Sequence, residues 1–129
     1  MEDYVTYEQA VKLKELGFDW VVTHFYDSEV PQDGCIKGRV PQDFNVMALV
    51  SLASAPTLAQ ATKWLRSKNI EVYSYYDYTT KSWIFEVCTI GEPHFNGYHS
   101  DDFGLNKSTY EEAISAGIDI ALDIYFNKK

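Results

Sequence analysis

The chain has 129 residues, of which 46% are hydrophobic and 23% charged, and a formal net charge of −8. That is enough apolar material for one domain with a real core, and it excludes an intrinsically disordered chain. The charge argues against a protein that neutralises nucleic-acid phosphates or lies on an anionic membrane.

The first element signal is "TYEQAV" at Thr6. Thr6 and Gln9 fit a capping box, in which the hydroxyl accepts from the N3 amide and the N3 side chain returns to the cap amide. A helix follows over 7–16, with Tyr7, Ala10 and Leu13 on one stripe and Gly17 as its C′ residue. "DWVVTHFY" (19–26) is β-branched and aromatic and reads as a strand. Residues 27–43 hold two prolines, two glycines and the tetrapeptide VPQD twice. They read as a long loop, a kind of segment that often carries function. Residues 44–53 read as a strand in preference to a short helix, because the next helix needs a loop before it.

Thr57 and Gln60 repeat the box, and a helix follows over 58–67 with Leu58, Ala61 and Leu65 inward. Residues 70–78 and 82–90 read as a hairpin joined through 79–81. Alternation puts Ile70, Val72, Ser74 and Tyr76 on one face and Tyr73 and Tyr75 on the other, beside Glu71 and Asp77. "HFNGYH" (94–99) carries Asn-Gly between aromatics, a hairpin signal. Thr109 and Glu112 then cap a helix over 110–126. It is apolar all round except for a strip through Glu112, Ser115, Asp119 and Asp123, so it is expected to pack on more than one side, against its sheet and, as a candidate homodimer contact, against a second copy.

The expected class is α+β: an antiparallel sheet with helices packed on one face, in the order α-β-β-α-β-β-β-α, as a single domain over 1–129. From Thr6 to Asp27 is 21 positions and from Thr57 to Asp77 is 20. That spacing suggests a helix–strand pseudo-repeat, 6–53 and 57–90; the alternative is that capped helices and aromatic strands look alike by chemistry.

The start, MEDYVTYEQ, is acidic and lacks the apolar stretch of a signal peptide, and no apolar run reaches membrane length. Cys35 and Cys88 make no disulfide framework, so free thiols and a cytoplasmic location are expected. His94 and His99, near Glu92, Asp101 and Asp102, have the donors a divalent cation takes but no metal-ligand spacing, so no metal or cofactor is assigned. Cys35 and His24 are a nucleophile and a base that nothing in the sequence orients. No catalytic set is legible and the chain does not read as an enzyme.

Charge is uneven along the chain. From Glu86 to Asp123 eight acids stand against Lys107 alone. Asp101, Asp102, Glu112, Asp119 and Asp123 are therefore candidate contacts for a basic protein partner, and the strip on the last helix has the character of a phosphate mimic; the plain alternative is the wet side of an apolar helix. Tyr73 and Tyr75 are candidate contacts too, since an open tyrosine face suits a protein interface, or stacked bases if cations flanked it.

"SAPTLAQATKWLRSK", with "LKELGFD" upstream and "TYEEAISAGIDIALDI" downstream, resembles small uncharacterised proteins of gut bacteria and their phages, a resemblance that implies no activity. "STYEEAISAGIDIALDIYF" is similar to the last helix of HicB-type antitoxins, which neutralise an mRNA-cleaving toxin. The α-β-β-β-α order from Thr57 resembles the double-stranded-RNA-binding fold, but "NKSTYEE" stands where that family has a basic helix start. The reading is a small acidic interaction protein, phage or mobile-element encoded, that binds a protein partner through its acidic C-terminal third, as an inhibitor or nucleic-acid mimic. The alternatives are an antitoxin-like neutraliser, or a small-molecule or metal-binding protein using residues 27–43 with His94 and His99.

Overall fold

The computed structural model describes residues 3–30, 34–46, 51–91 and 97–128. The fold is α+β, with helices and antiparallel sheets in the expected alternation, and the strands fall into two three-stranded sheets. Contacts divide the chain into two compact units, Met1–Gln60 and Ala61–Lys129.

In the first unit, α1 (Tyr7–Glu15) starts on the expected capping box, with Gln9 N to Thr6 Oγ1 at 3.2 Å and Thr6 N to Gln9 Oε1 at 2.9 Å. The return bond lets the Gln9 side chain be fully buried without a lost hydrogen bond. The helix ends as a Schellman motif: Gly17 sits at φ +92°, its amide donates to Lys14 O, and the Phe18 amide donates to Leu13 O. Phe18 and Leu13 both enter the core. The sheet has β1 (Val22–Asp27) at its centre, between β2 (Ile36–Gln42) and β3 (Leu52–Ser54). α1 packs on β3, and Lys14 Nζ donates to Leu52 O at 2.6 Å.

Two expectations need correcting here. Residues 27–43 are not one long loop, because Ile36–Gln42 pairs with β1 through Phe25↔Ile36, His24↔Lys37 and Val22↔Gln42. Its Pro, Gly and charged residues hid it, and each suits an edge strand. Gly38 is required there, since a Cβ would lie 2.5 Å from Cζ of the buried Phe44. Residues 44–53 are not one strand. Phe44–Val46 is a 3-10 turn, and among the described residues the extended stretch is Leu52–Ser54; residues 47–50 lie outside the described residues. Asn45 explains the break: its side chain accepts from Ser54 N and donates to Phe18 O, both at 2.9 Å, which ties the turn to β3.

α2 (Leu58–Ser67) begins on the Thr57–Gln60 box, with Gln60 N to Thr57 Oγ1 at 3.1 Å and Thr57 N to Gln60 Oε1 at 2.9 Å. The unit boundary falls inside it.

In the second unit, β4 (Ile70–Asp77) and β5 (Ser82–Thr89) form the expected hairpin, paired along their whole length from Ile70↔Thr89 to Asp77↔Ser82. The turn is four residues, 78–81, one more than the expected 79–81. Lys81 takes φ +54°, and Asp77 accepts from Thr79 N and Thr80 Oγ1. β6 (Tyr98–His99) pairs with β5 on its far side, and Lys107 continues that edge by exchanging backbone bonds with Trp83. Between them lies a 3-10 turn, Ser100–Phe103. The excursion would leave Phe85 N unpaired, but the buried Ser100 hydroxyl accepts from it at 2.9 Å and donates to Asn106 Oδ1 at 2.7 Å. The expected hairpin at 94–99 is described only from Gly97 onward; residues 92–96, with Glu92 and His94, lie outside the described residues.

α3 (Tyr110–Lys128) packs across β4 and β5. Its Glu112 amide donates to Thr109 Oγ1 at 3.1 Å, the first half of the expected box. Ala113, Ile114, Ile118, Ala121 and Leu122 are buried. Ala116, Ile120 and Ile124, the expected second apolar side, are half-buried within the single chain. The helix sits so close to the sheet that a Cβ on Gly117 would lie 2.6 Å from Val72 Cγ1. Gly117→Ala is therefore expected to destabilise the chain by ~1–3 kcal/mol by overpacking, although alanine favours a helix by ~1 kcal/mol. Urea denaturation checks this, and the same change costs less in a Val72→Ala background. A neutral Gly117→Ala contradicts the close approach.

Candidate functional site

The packing of α3 sorts the second sheet into two faces. Val72, Phe85 and Val87 lie under Gly117. By alternation Glu71, Tyr73 and Tyr75 of β4 point the other way. The register sets Tyr73 opposite Glu86 and Glu71 opposite Cys88, and β6 sets His99 on the far side of Glu86. Tyr73, Tyr75, Glu86 and His99 therefore form one cluster on the face away from α3.

The cluster is built on Glu86, whose side chain is 15% exposed. The Tyr73 hydroxyl donates to the Glu86 carboxylate, which with burial pushes its ionisation up to about 12. The Tyr75 phenol is also pushed up, by burial first and then by the Glu86 charge. The Tyr75 hydroxyl lies 3.2 Å from His99 Nε2, and that nitrogen is 3.6 Å from Glu86 Oε1. His99 Nδ1 is buried and has no hydrogen-bond partner among the described residues. The two tyrosine rings stack with centroids 6.4 Å apart, and their residues are 38% and 40% exposed. Glu71 is held by Arg66 through two bonds, at 2.8 and 3.2 Å. The face thus presents rigid aromatic surface over carboxylates.

The expected contact residues do not assemble into a single surface. Asp101 and Asp102 are exposed in the Ser100–Phe103 turn. The charge of Asp101 adds to the upward push on Tyr75, so it belongs with the tyrosine face, and its Oδ1 accepts from Asn106 Nδ2 at 3.0 Å. Glu112, Asp119 and Asp123 are exposed on α3, which covers the opposite sheet face. Glu112 and Asp119 line an open groove of about 290 Å³ with Ser115, Ala116 and Lys107, so one cation stands within the acid strip.

The remaining candidates are less organised. Among the described residues no group of three or more His, Cys, Asp or Glu side chains can hold a metal ion. Cys35 and His24 do not make an activated pair: burial pushes the thiol up, and burial and Lys37 push the imidazole down. Cys88 is pushed up by burial and by Glu71 and Glu86. Sequence reasoning missed Glu86 and the role of His99. The expected turn of 79–81 is one residue short and sets Val87, not Glu86, against Tyr73, and His99 reaches Glu86 through the separate β5–β6 pairing.

No known protein family, curated protein or solved structure matches the chain. Among the described residues, no helix is long and apolar enough to cross a membrane.

The Tyr73–Glu86 bond can be read directly. Ultraviolet titration is expected to show one phenol ionising near 12 that returns towards the ordinary 10 in Glu86→Gln. Above pH 10 the folded chain keeps a proton that the unfolded chain releases, so this group lowers stability as pH rises from 10 to about 12. A titration unchanged by Glu86→Gln contradicts the assignment.

Proposed function

We propose that this chain acts by binding another protein, basic at its contact surface, and not by catalysis. The observation that carries this reading is the Tyr73–Tyr75 face, exposed, aromatic and fixed by Glu86 and His99. Tyrosine supplies large contact area with little rotamer entropy to lose, and its ring faces attract cations. Glu86 and Asp101 beside it favour lysine and arginine over acidic partners. The same features speak against chemistry. Phenols pushed upward stay protonated at neutral pH and so are not available as general bases, and both thiols are pushed away from the reactive thiolate. A cytoplasmic setting, in which Cys35 and Cys88 stay free, fits this reading.

This differs in emphasis from the acid strip on α3. That strip lies on the exposed side of a packed helix with Lys107 lining the same groove, whereas the tyrosine face has the aromatic anchors that dominate interface energetics. Affinity capture from lysate separates the two. Tyr73→Ala/Tyr75→Ala is expected to weaken retention of the partner by about 30-fold or more, each truncated anchor costing on the order of 1–2 kcal/mol. Asp119→Asn/Asp123→Asn is expected to change it by only a few-fold, through salt-dependent association. The reverse ranking overturns the assignment.

A further inference from the structure

The two sheets treat their outer strands differently. β2, at the edge of the first sheet, carries Lys37, Arg39 and Pro41, all exposed. Its ladder with β1 is broken by a register shift between Val22 and His24. Charges, proline and irregularity are the usual means by which an edge is kept from pairing with another chain. β4, at the edge of the second sheet, lacks the proline, the cations and the irregularity. It runs eight residues in unbroken register with β5, and no described strand pairs with its outer side. Proline, lysine and arginine are absent from its sequence, Ile-Glu-Val-Tyr-Ser-Tyr-Tyr-Asp. Its two acids are engaged, Glu71 by Arg66 and Asp77 by the turn. The central stretch Tyr73, Ser74, Tyr75 and Tyr76 is uncharged, with tyrosine exposed on both faces.

We infer that the outer edge of β4 is a docking site for an extended, basic segment of a partner protein, which adds to the sheet as a further strand. The inference rests on the protein-binding reading above and names how that partner is held. Strand addition supplies main-chain bonds, and alternate side chains supply selectivity. On the face away from α3, every second side chain of the added strand runs beside Tyr73 and Tyr75, with Glu86 within the same face. Lysine or arginine there meets ring faces and a carboxylate together. A second copy of this chain is the poorer occupant, because the net charge of −8 repels itself and β4 brings no cation of its own.

Amide hydrogen exchange on the full chain tests this, using a short peptide alternating Arg and Val as probe. Its controls are the Glu-Val counterpart and an Arg-Val peptide N-methylated at every second amide. In the free chain, alternate amides of β4 are expected to exchange faster than those of β5, by about 100-fold or more. The Arg-Val peptide is expected to slow them by about tenfold or more, with no effect from the Glu-Val peptide and little from the methylated one. Tyr75→Lys, which gives β4 the kind of guard β2 has, is expected to abolish the protection while leaving the circular dichroism unchanged. Amides of β4 already protected in the free chain overturn the inference, as does protection by both peptides alike or by neither. Equal binding of the methylated peptide also overturns it, but leaves the protein-binding reading standing, since contact would then be through the face and not the edge. Failure of partner capture from lysate is the separate result that removes the reading itself.

Discussion

The contact of Gly117 with Val72 determines what the second unit shows to its surroundings. A helix normally stands off a sheet by the length of its side chains, and here the missing Cβ removes that spacing at the centre of α3. Val72, Phe85 and Val87 are thereby committed to the core. A strand has a period of two, so this commitment decides the other face as well: Tyr73, Tyr75 and Glu86 must point away. A slip of one residue would bury the carboxylate and expose the valines. The tyrosine face is thus the obligatory reverse side of the core.

That logic also explains which parts were legible in the sequence. Helix starts were, because Thr6, Thr57 and Thr109 each bring a hydroxyl to an amide three residues on, a local interaction that needs no tertiary partner. The likeness of "THFYD" and "YSYYD" has a local cause too. Asp27 and Asp77 both end their strands by accepting from the amide two residues on. The strand that follows the helix is nevertheless central in one sheet and at the edge in the other.

What was not legible depended on pairing. Ile36–Gln42 reads as loop because an edge strand is free to carry proline, glycine and charge. Phe44–Val46 turns because Asn45 finds Phe18 and Ser54, partners distant in the chain. For the site, charge counting found Asp101, Asp102, Glu112, Asp119 and Asp123, but composition does not say which side of a sheet a residue occupies. Glu86 was one acid among eight until Asp77↔Ser82 fixed the register and set it against Tyr73. A turn of 79–81 would have placed Tyr78 opposite Ser82 and Tyr73 opposite Val87, mixing core with surface. The fourth turn residue, with Lys81 left-handed, removes that conflict.

The proposed partner contact is the sheet face behind α3, not the acid strip in front of it. Chemical-shift mapping of the labelled chain, titrated with a partner recovered from lysate, tests it most directly. The largest perturbations are expected on residues 71–77 and 84–88 and on His99. Perturbations confined to Lys107, Glu112, Ser115 and Asp119 would contradict it.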